Sequence, residues 1–133
     1  MNYRCGMDAM LNIAIRAARQ AGRIAVRSFD RGHDIRISEK GRNDFVTEID
    51  RACENAIIDE LRGKFPDHAI LAEESGSSAG KDPHSEFEWI IDPLDGTTNY
   101  LHGFPQWSIS IGLRYRGLME QAVVYDPLRE ELF

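Results

Sequence analysis

The stretch Trp89–Pro105, WIIDPLDGTTNYLHGFP, decides the reading of this chain. An apolar run passes straight into two aspartates, Asp92 and Asp95, and then into a glycine and a pair of threonines. Short apolar runs bounded by turn residues read as buried strands. Phe87–Asp92 is therefore expected to be a strand that ends on Asp92. Pro93 fixes φ and is expected to turn the chain, which would bring Asp95 back beside Asp92 to share an ion. The Leu94 carbonyl between them is a candidate third oxygen ligand. Gly96 permits a close backbone approach that a Cβ would obstruct. Thr97, Thr98 and Asn99 are all helix N-cap types. A short helix starting there would aim free N–H groups and its positive end at an anion, with phosphate the natural guest. D-P-x-D-G alone is an ordinary turn sequence. The combination of buried strand, two spaced acids, glycine and paired threonines is what points to chemistry.

A second short strand is expected in His68–Ser75, HAILAEES, and it ends in Glu73 and Glu74. Paired glutamates are common on plain surfaces. If the two strands are neighbours, however, their acidic ends meet, and gathered carboxylates repel unless a cation stands between them. Hard oxygen ligands suit Mg²⁺. Between the strands, Gly76–Glu86 is small, polar and rich in breakers, a surface loop. After the motif, WSISIGLRYRG and MEQAVVYDP read as an antiparallel hairpin turning near Arg116 and Gly117. REELF begins a further strand. Tyr100, Phe104 and Trp107 read as core or pocket-wall residues.

Upstream, Asp8–Phe29 is expected to be a helix, because Leu11, Ala14, Ala18, Ala21, Ala25 and Phe29 recur at three- and four-residue steps. Arg16, Arg19, Arg23 and Arg27 form a second stripe, read as a solvated face or as a contact surface for an acidic partner or RNA. Ile35–Ser38 is a candidate short strand and Lys40–Phe45 a loop. A second helix is expected over Thr47–Phe65, with Ile49, Cys53, Ile57, Leu61 and Phe65 along one face. Thr47 and Asp50 resemble a capping box, which makes Asp50 a capping acid on its residues alone. Helices mixed with strands give an α+β or layered α/β fold.

Composition narrows the classes. A chain of 133 residues supports one core. The formal net charge of −6 argues against general nucleic-acid binding, which needs a basic surface. Cys5 and Cys53 make neither a disulfide framework nor a zinc spacing, and Cys53 reads as a small buried hydrophobe. His33, His68, His84 and His102 lack metal-ligand spacing and read as loop or surface residues. No run approaches the roughly 20 apolar residues of a membrane span, and no secretory signal is evident, so the expected location is cytoplasmic.

E-E-S-G followed by W-I-I-D-P-L-D-G-T-T-N resembles the inositol monophosphatase family. K-G-R-N-D-F-V-T-E-I-D and A-V-V-Y-D-P-L-R-E-E-L-F extend the likeness over Met7–Phe133, and it is strongest to the bacterial SuhB-type branch. The resemblance implies the N-terminal part of a layered α-β-α-β-α sandwich, two long helices packed on a mainly antiparallel sheet, with residues 1–133 as its metal-binding portion. A W-D-x-x-A-G motif found in the family's second half has no match here. Glu73, Asp92 and the Leu94 carbonyl are implied to bind one Mg²⁺, and Asp92 with Asp95 a second, in a site of two or three ions. Thr97, supported by Asp50, would help Glu73 orient the attacking water. Leu94, Asp95, Gly96, Thr97 and Thr98 would bind substrate. The implied activity is lithium-sensitive hydrolysis of inositol 1-phosphate or a similar small sugar phosphate by metal-activated water. The implied state at full length is a homodimer. The SuhB-type branch also implies a partner in the transcription machinery, a role in ribosomal RNA antitermination that needs a protein surface and no catalysis. A third reading is a shortened chain that folds poorly and does neither.

Overall fold

A computed structural model describes residues 3–32 and 39–133. The expected strand at Ile35–Ser38 lies outside the described residues, as does His33. Two long helices, α1 (Tyr3–Gly32) and α2 (Glu39–Lys64), cover one face of a six-stranded sheet. In chain order the strands are β1 (Ala69–Ala72), β2 (Gly76–Ser78), β3 (Phe87–Asp95), β4 (Ser108–Tyr115), β5 (Leu118–Asp126) and β6 (Glu131–Leu132). They lie side by side as β2-β1-β3-β4-β5-β6. Among the described strands only β1 and β3 run parallel, and every other neighbouring pair is antiparallel. The fold is α+β, with a mixed and mainly antiparallel sheet.

Small residues on α1 explain the close layer packing. Ala14, Ala17, Ala18, Ala21 and Ala25 are all buried, and α2 meets them with buried Cys53, Ile57 and Leu61. The Cys53 thiol donates to the Ala21 carbonyl at 3.5 Å, and burial with the nearby Asp50 pushes it up to about 12. It is the buried small hydrophobe its place on the stripe suggests. Farther along α1, a Cβ on Gly22 would stand 2.6 Å from the Tyr125 ring of β5. The sheet answers with alternate buried residues, Trp89 and Ile91 on β3 and Ile109, Ile111 and Leu113 on β4. Full burial of each large side chain contributes about 1.5–3 kcal/mol.

Three expectations change in the helices. α1 starts earlier than Asp8 because Met7 and Met10 are also buried, and the Gln121 amide donates to the Met7 carbonyl at 2.8 Å. The polar stretch Lys40–Phe45 is helix rather than loop. Buried Val46 and half-buried Phe45 anchor it to the core, so tertiary packing overrides a weak local propensity. Thr47 therefore caps nothing. Its hydroxyl donates to the Asn43 carbonyl at 2.9 Å within the helix, and Asp50 lies deep in α2 as a buried residue.

The strands also depart in detail. Pro93 does not turn the chain, because β3 continues through it to Asp95. The register moves from Asp92↔Ser110 to Asp95↔Ser108, so β3 carries one extra residue there, a bulge. A bulge accommodates a proline that an unbroken ladder would reject. Part of the loop after β1 forms the short edge strand β2. The hairpin turns where expected, with positive φ at Arg116 and Gly117, the backbone twist that suits tight antiparallel connections. A side-chain bond from Arg116 to Glu86 at 3.1 Å helps hold this non-glycine residue there. The last strand also forms, and Phe133 exchanges both backbone bonds with Val124.

His68 is a further correction. It is buried, and its Nδ1 accepts the Trp89 indole N–H at 3.1 Å. Phe65 stacks on one side with ring centroids 5.0 Å apart, and Phe87 stacks 4.7 Å away. Burial lowers its pKa below the ordinary histidine range.

Candidate active site

The parallel pairing of β1 with β3 sets Ala72 opposite Ile91. The Glu73 N–H extends that ladder to the Ile91 carbonyl at 3.3 Å. The acidic ends of the two strands therefore meet, as expected for neighbours. The side chains of Glu73 and Asp92 meet in a hydrogen-bonding contact. That contact, then burial, then the charges of Asp92, Glu74 and Glu54, push Glu73 up to about 7.

Glu73 and Glu74 face a cleft of about 380 Å³. Helix α2 contributes Asp50 to its wall, and the short helix α3 (Thr97–Leu101) contributes Thr97 and Thr98. Burial, followed by the charges of Glu74, Glu73, Asp92 and Glu54, pushes Asp50 up to about 7. One oxygen of Asp50 and one of Asp92, each an Oδ1, are buried without a hydrogen-bond partner. Buried polar atoms are rarely left so.

The motif after Asp92 is arranged by backbone geometry. The Leu94 side chain is buried, and its carbonyl accepts the Thr97 hydroxyl at 3.1 Å. Gly96 precedes α3 with φ of 91°, and a Cβ there would lie 2.9 Å from the Gln106 carbonyl oxygen. The position needs glycine for both reasons. The Asn99 amide also donates to the Gln106 carbonyl, at 2.8 Å. Tyr100 and Trp107 are buried, with ring centroids 5.0 Å apart, whereas Phe104 is exposed.

The structure gathers Asp50, Glu73, Thr97 and Thr98 around one cleft and joins Asp92 to it through Glu73. Asp95 lies beyond the bulge and, with Gly96, lines a second cleft of about 280 Å³ beside Trp107, Asp126 and Arg129. Among the described residues, no group of three or more His, Cys, Asp or Glu side chains is placed to enclose a metal ion. The donor chemistry present still fits a hard cation. Glu73 and Asp92 are adjacent carboxyls, Oδ1 of Asp92 and Oδ1 of nearby Asp50 are unpaired, and among the described residues no cationic side chain lines the cleft.

The sequence reading missed Glu54. It is buried on the inner face of α2, one turn beyond Asp50, and its two oxygens accept the N–H groups of Glu74 at 2.9 Å and Ser75 at 3.1 Å. The available signal was its spacing. Asp50, Cys53, Glu54, Ile57 and Leu61 lie on one helical face, so an acid interrupts an apolar stripe there.

A curated relative from Pasteurella multocida, Nus factor SuhB, is 53% identical over 127 residues, covering 96% of this chain and 47% of its own. The Nus factor SuhB of Escherichia coli strain K12 is 49% identical with the same coverage. The chain thus spans about half the length of the curated relatives it matches. Among solved structures, the extragenic suppressor protein SuhB from Bartonella henselae superimposes with a TM-score of 0.80 at 38% identity, over 94% of this chain and 47% of that one. Inositol monophosphatase from Anabaena gives 0.79 at 39% identity, over 96% and 44%. Residues 6–133 match the sequence profile of the inositol monophosphatase family, and the chain belongs to that family.

Proposed function

We propose that this chain carries part of the active site of a Mg²⁺-dependent phosphate monoester hydrolase acting on inositol 1-phosphate or a similar small sugar phosphate. In this reading residues 1–133 are the metal-binding portion of the domain, and the full-length protein is a homodimer. The observation that carries the proposal is the meeting of the acidic ends of the paired strands β1 and β3, at Glu73 and Asp92, with Glu73 facing Asp50 and Thr97 across an acidic cleft. Glu73, Asp92, Asp95 and the Leu94 carbonyl would hold the metal. Bound Mg²⁺ supplies a more acidic water and positive charge against the leaving oxygen. The Thr97 hydroxyl donates its hydrogen bond to the Leu94 carbonyl, so its oxygen can accept a hydrogen bond from water and fix that water's orientation. Asp50, across the same cleft, can take the water's other proton. Gly96 leaves room beside the first turn of α3, where Thr97 and Thr98 offer hydroxyls and backbone N–H groups to phosphate oxygens.

The test is phosphate release from inositol 1-phosphate by the full chain, with Mg²⁺ and with a chelator. Mg²⁺-dependent release that Li⁺ inhibits and Asp92→Asn abolishes is the expected result. Equal release under both conditions, or none at saturating Mg²⁺, refutes the proposal.

A second reading draws on the relatives named Nus factor SuhB and gives the chain a transcription-machinery partner. The favouring observation is the exposed row Arg19, Arg23 and Arg27 on α1. The fourth arginine, Arg16, approaches Glu60 at 3.8 Å. Charge reversal along this row should remove such binding and leave phosphate release intact, and Asp95→Asn should do the opposite. If Asp95→Asn removes both, the two roles are not separable.

A further inference from the structure

The turn that presents Glu73 is held from two sides. On one side the Glu73 N–H donates to β3 through the Ile91 carbonyl. On the other, the next two N–H groups, those of Glu74 and Ser75, donate to the two oxygens of Glu54. Two consecutive donors pointing the same way need an acceptor with two oxygens and no proton to offer. A carboxylate meets that need, whereas an amide would set its own N–H₂ against one of them. Glu54 is buried on α2, and burying a charge among other acids is costly. Its negative charge also raises Asp50 and Glu73. What the bidentate carboxylate adds is a fixed backbone direction at the residue whose side chain meets Asp92.

We infer that Glu54 is a positioning residue for the metal site: it clamps the Glu73–Ser75 turn from α2 so that the Glu73 carboxylate is set against Asp92 before an ion arrives. The inference rests on the metal-dependent phosphatase reading above. Partners that orient metal ligands typically carry about 10–100-fold in affinity when removed.

The experiment uses the full chain, its Glu54→Gln and Glu54→Asp variants, and two independent readouts. Amide hydrogen exchange at Glu74 and Ser75 reports the clamp without reference to activity. Calorimetric titration with Mg²⁺ alone reports the site. Both variants should unfold cooperatively, exchange these two amides at least about 10-fold faster, and bind Mg²⁺ about 10-fold more weakly. At saturating Mg²⁺ the rate of phosphate release should recover more fully than the affinity. Glu54→Asp keeps the charge but withdraws both oxygens by one methylene, so its failing together with Glu54→Gln assigns the effect to the clamp rather than to net charge. Unchanged exchange at Glu74 and Ser75 overturns the clamp even in an active phosphatase. Faster exchange with Mg²⁺ affinity within about twofold of the parent overturns the positioning role. A parent that binds no Mg²⁺ overturns the metal reading and the positioning role with it, and the amide exchange then still decides whether the clamp exists.

Discussion

Replacing Asp50 by asparagine should stabilise the folded chain at neutral and alkaline pH when divalent metal is withheld. Asparagine keeps the shape of the side chain and removes only its charge. In the folded state burial, and then the acids Glu74, Glu73, Asp92 and Glu54, push the Asp50 carboxyl from an ordinary 3.8 up to about 7. A carboxyl raised on folding favours the folded state fully at low pH, where it is protonated in both states. That contribution is lost as the pH climbs from about 4 through about 7. The displacement corresponds to roughly 4 kcal/mol at about 1.4 kcal/mol per pH unit. Water entering the cleft and small shifts of the neighbouring acids reduce it, so about 1–3 kcal/mol is expected at pH 8. In a chain of this size that is a rise in Tm of about 3–10 °C. The assay is urea and thermal unfolding of parent and variant across this pH range, with a chelator present. The advantage of the variant should grow between about pH 4 and 7 and then level off. An advantage independent of pH, or a variant less stable at pH 8, would refute the reasoning, because it would mean that Asp50 has a favourable partner for its charge.

Other perturbations test different parts of the structure. Burial lowers the pKa of His68 below its ordinary value, so it contributes stability above about pH 6.5 that is lost as the pH falls below that value. His68→Phe should flatten this limb in pH-dependent unfolding, and at pH 8 should cost about 1–3 kcal/mol through the unpaired Trp89 indole N–H. Gly96→Ala forces a Cβ onto the Gln106 carbonyl at positive φ and should destabilise by about 2–4 kcal/mol, read as a fall in urea midpoint. Leu61→Ala, in the fully buried stripe of α2, should cost about 2–5 kcal/mol in the same assay. A loss below about 1 kcal/mol would mean that α2 does not pack as described.

Much of the fold was legible in the sequence because periodicity reports burial directly. The stripes on α1 and α2, the strand at Phe87, the hairpin at Arg116–Gly117 and the helix after Gly96 each follow from residues close in the chain. Patterning also placed Glu73, Asp92 and Thr97 as chemistry-bearing residues. What the sequence could not settle were matters of distance between elements. Thr47 and Asp50 read as a cap because local rules cannot see that Val46 anchors an earlier helical turn to the core. Pro93 read as a turn because only the register with β4 reveals the bulge through which β3 continues to Asp95. His68 read as a surface residue because its partners, Phe65, Phe87 and Trp89, converge only on folding. Glu54 reaches Glu74 and Ser75 across 20 or more residues, and no local pattern encodes such a bond. The sequence by itself determined the apolar faces of the helices and central strands and named the residues now proposed to bind a cation or a phosphate. The tertiary structure decided which of them meet, because parallel pairing of β1 with β3 and the close, alanine-lined packing of α1 on α2 are products of the whole core.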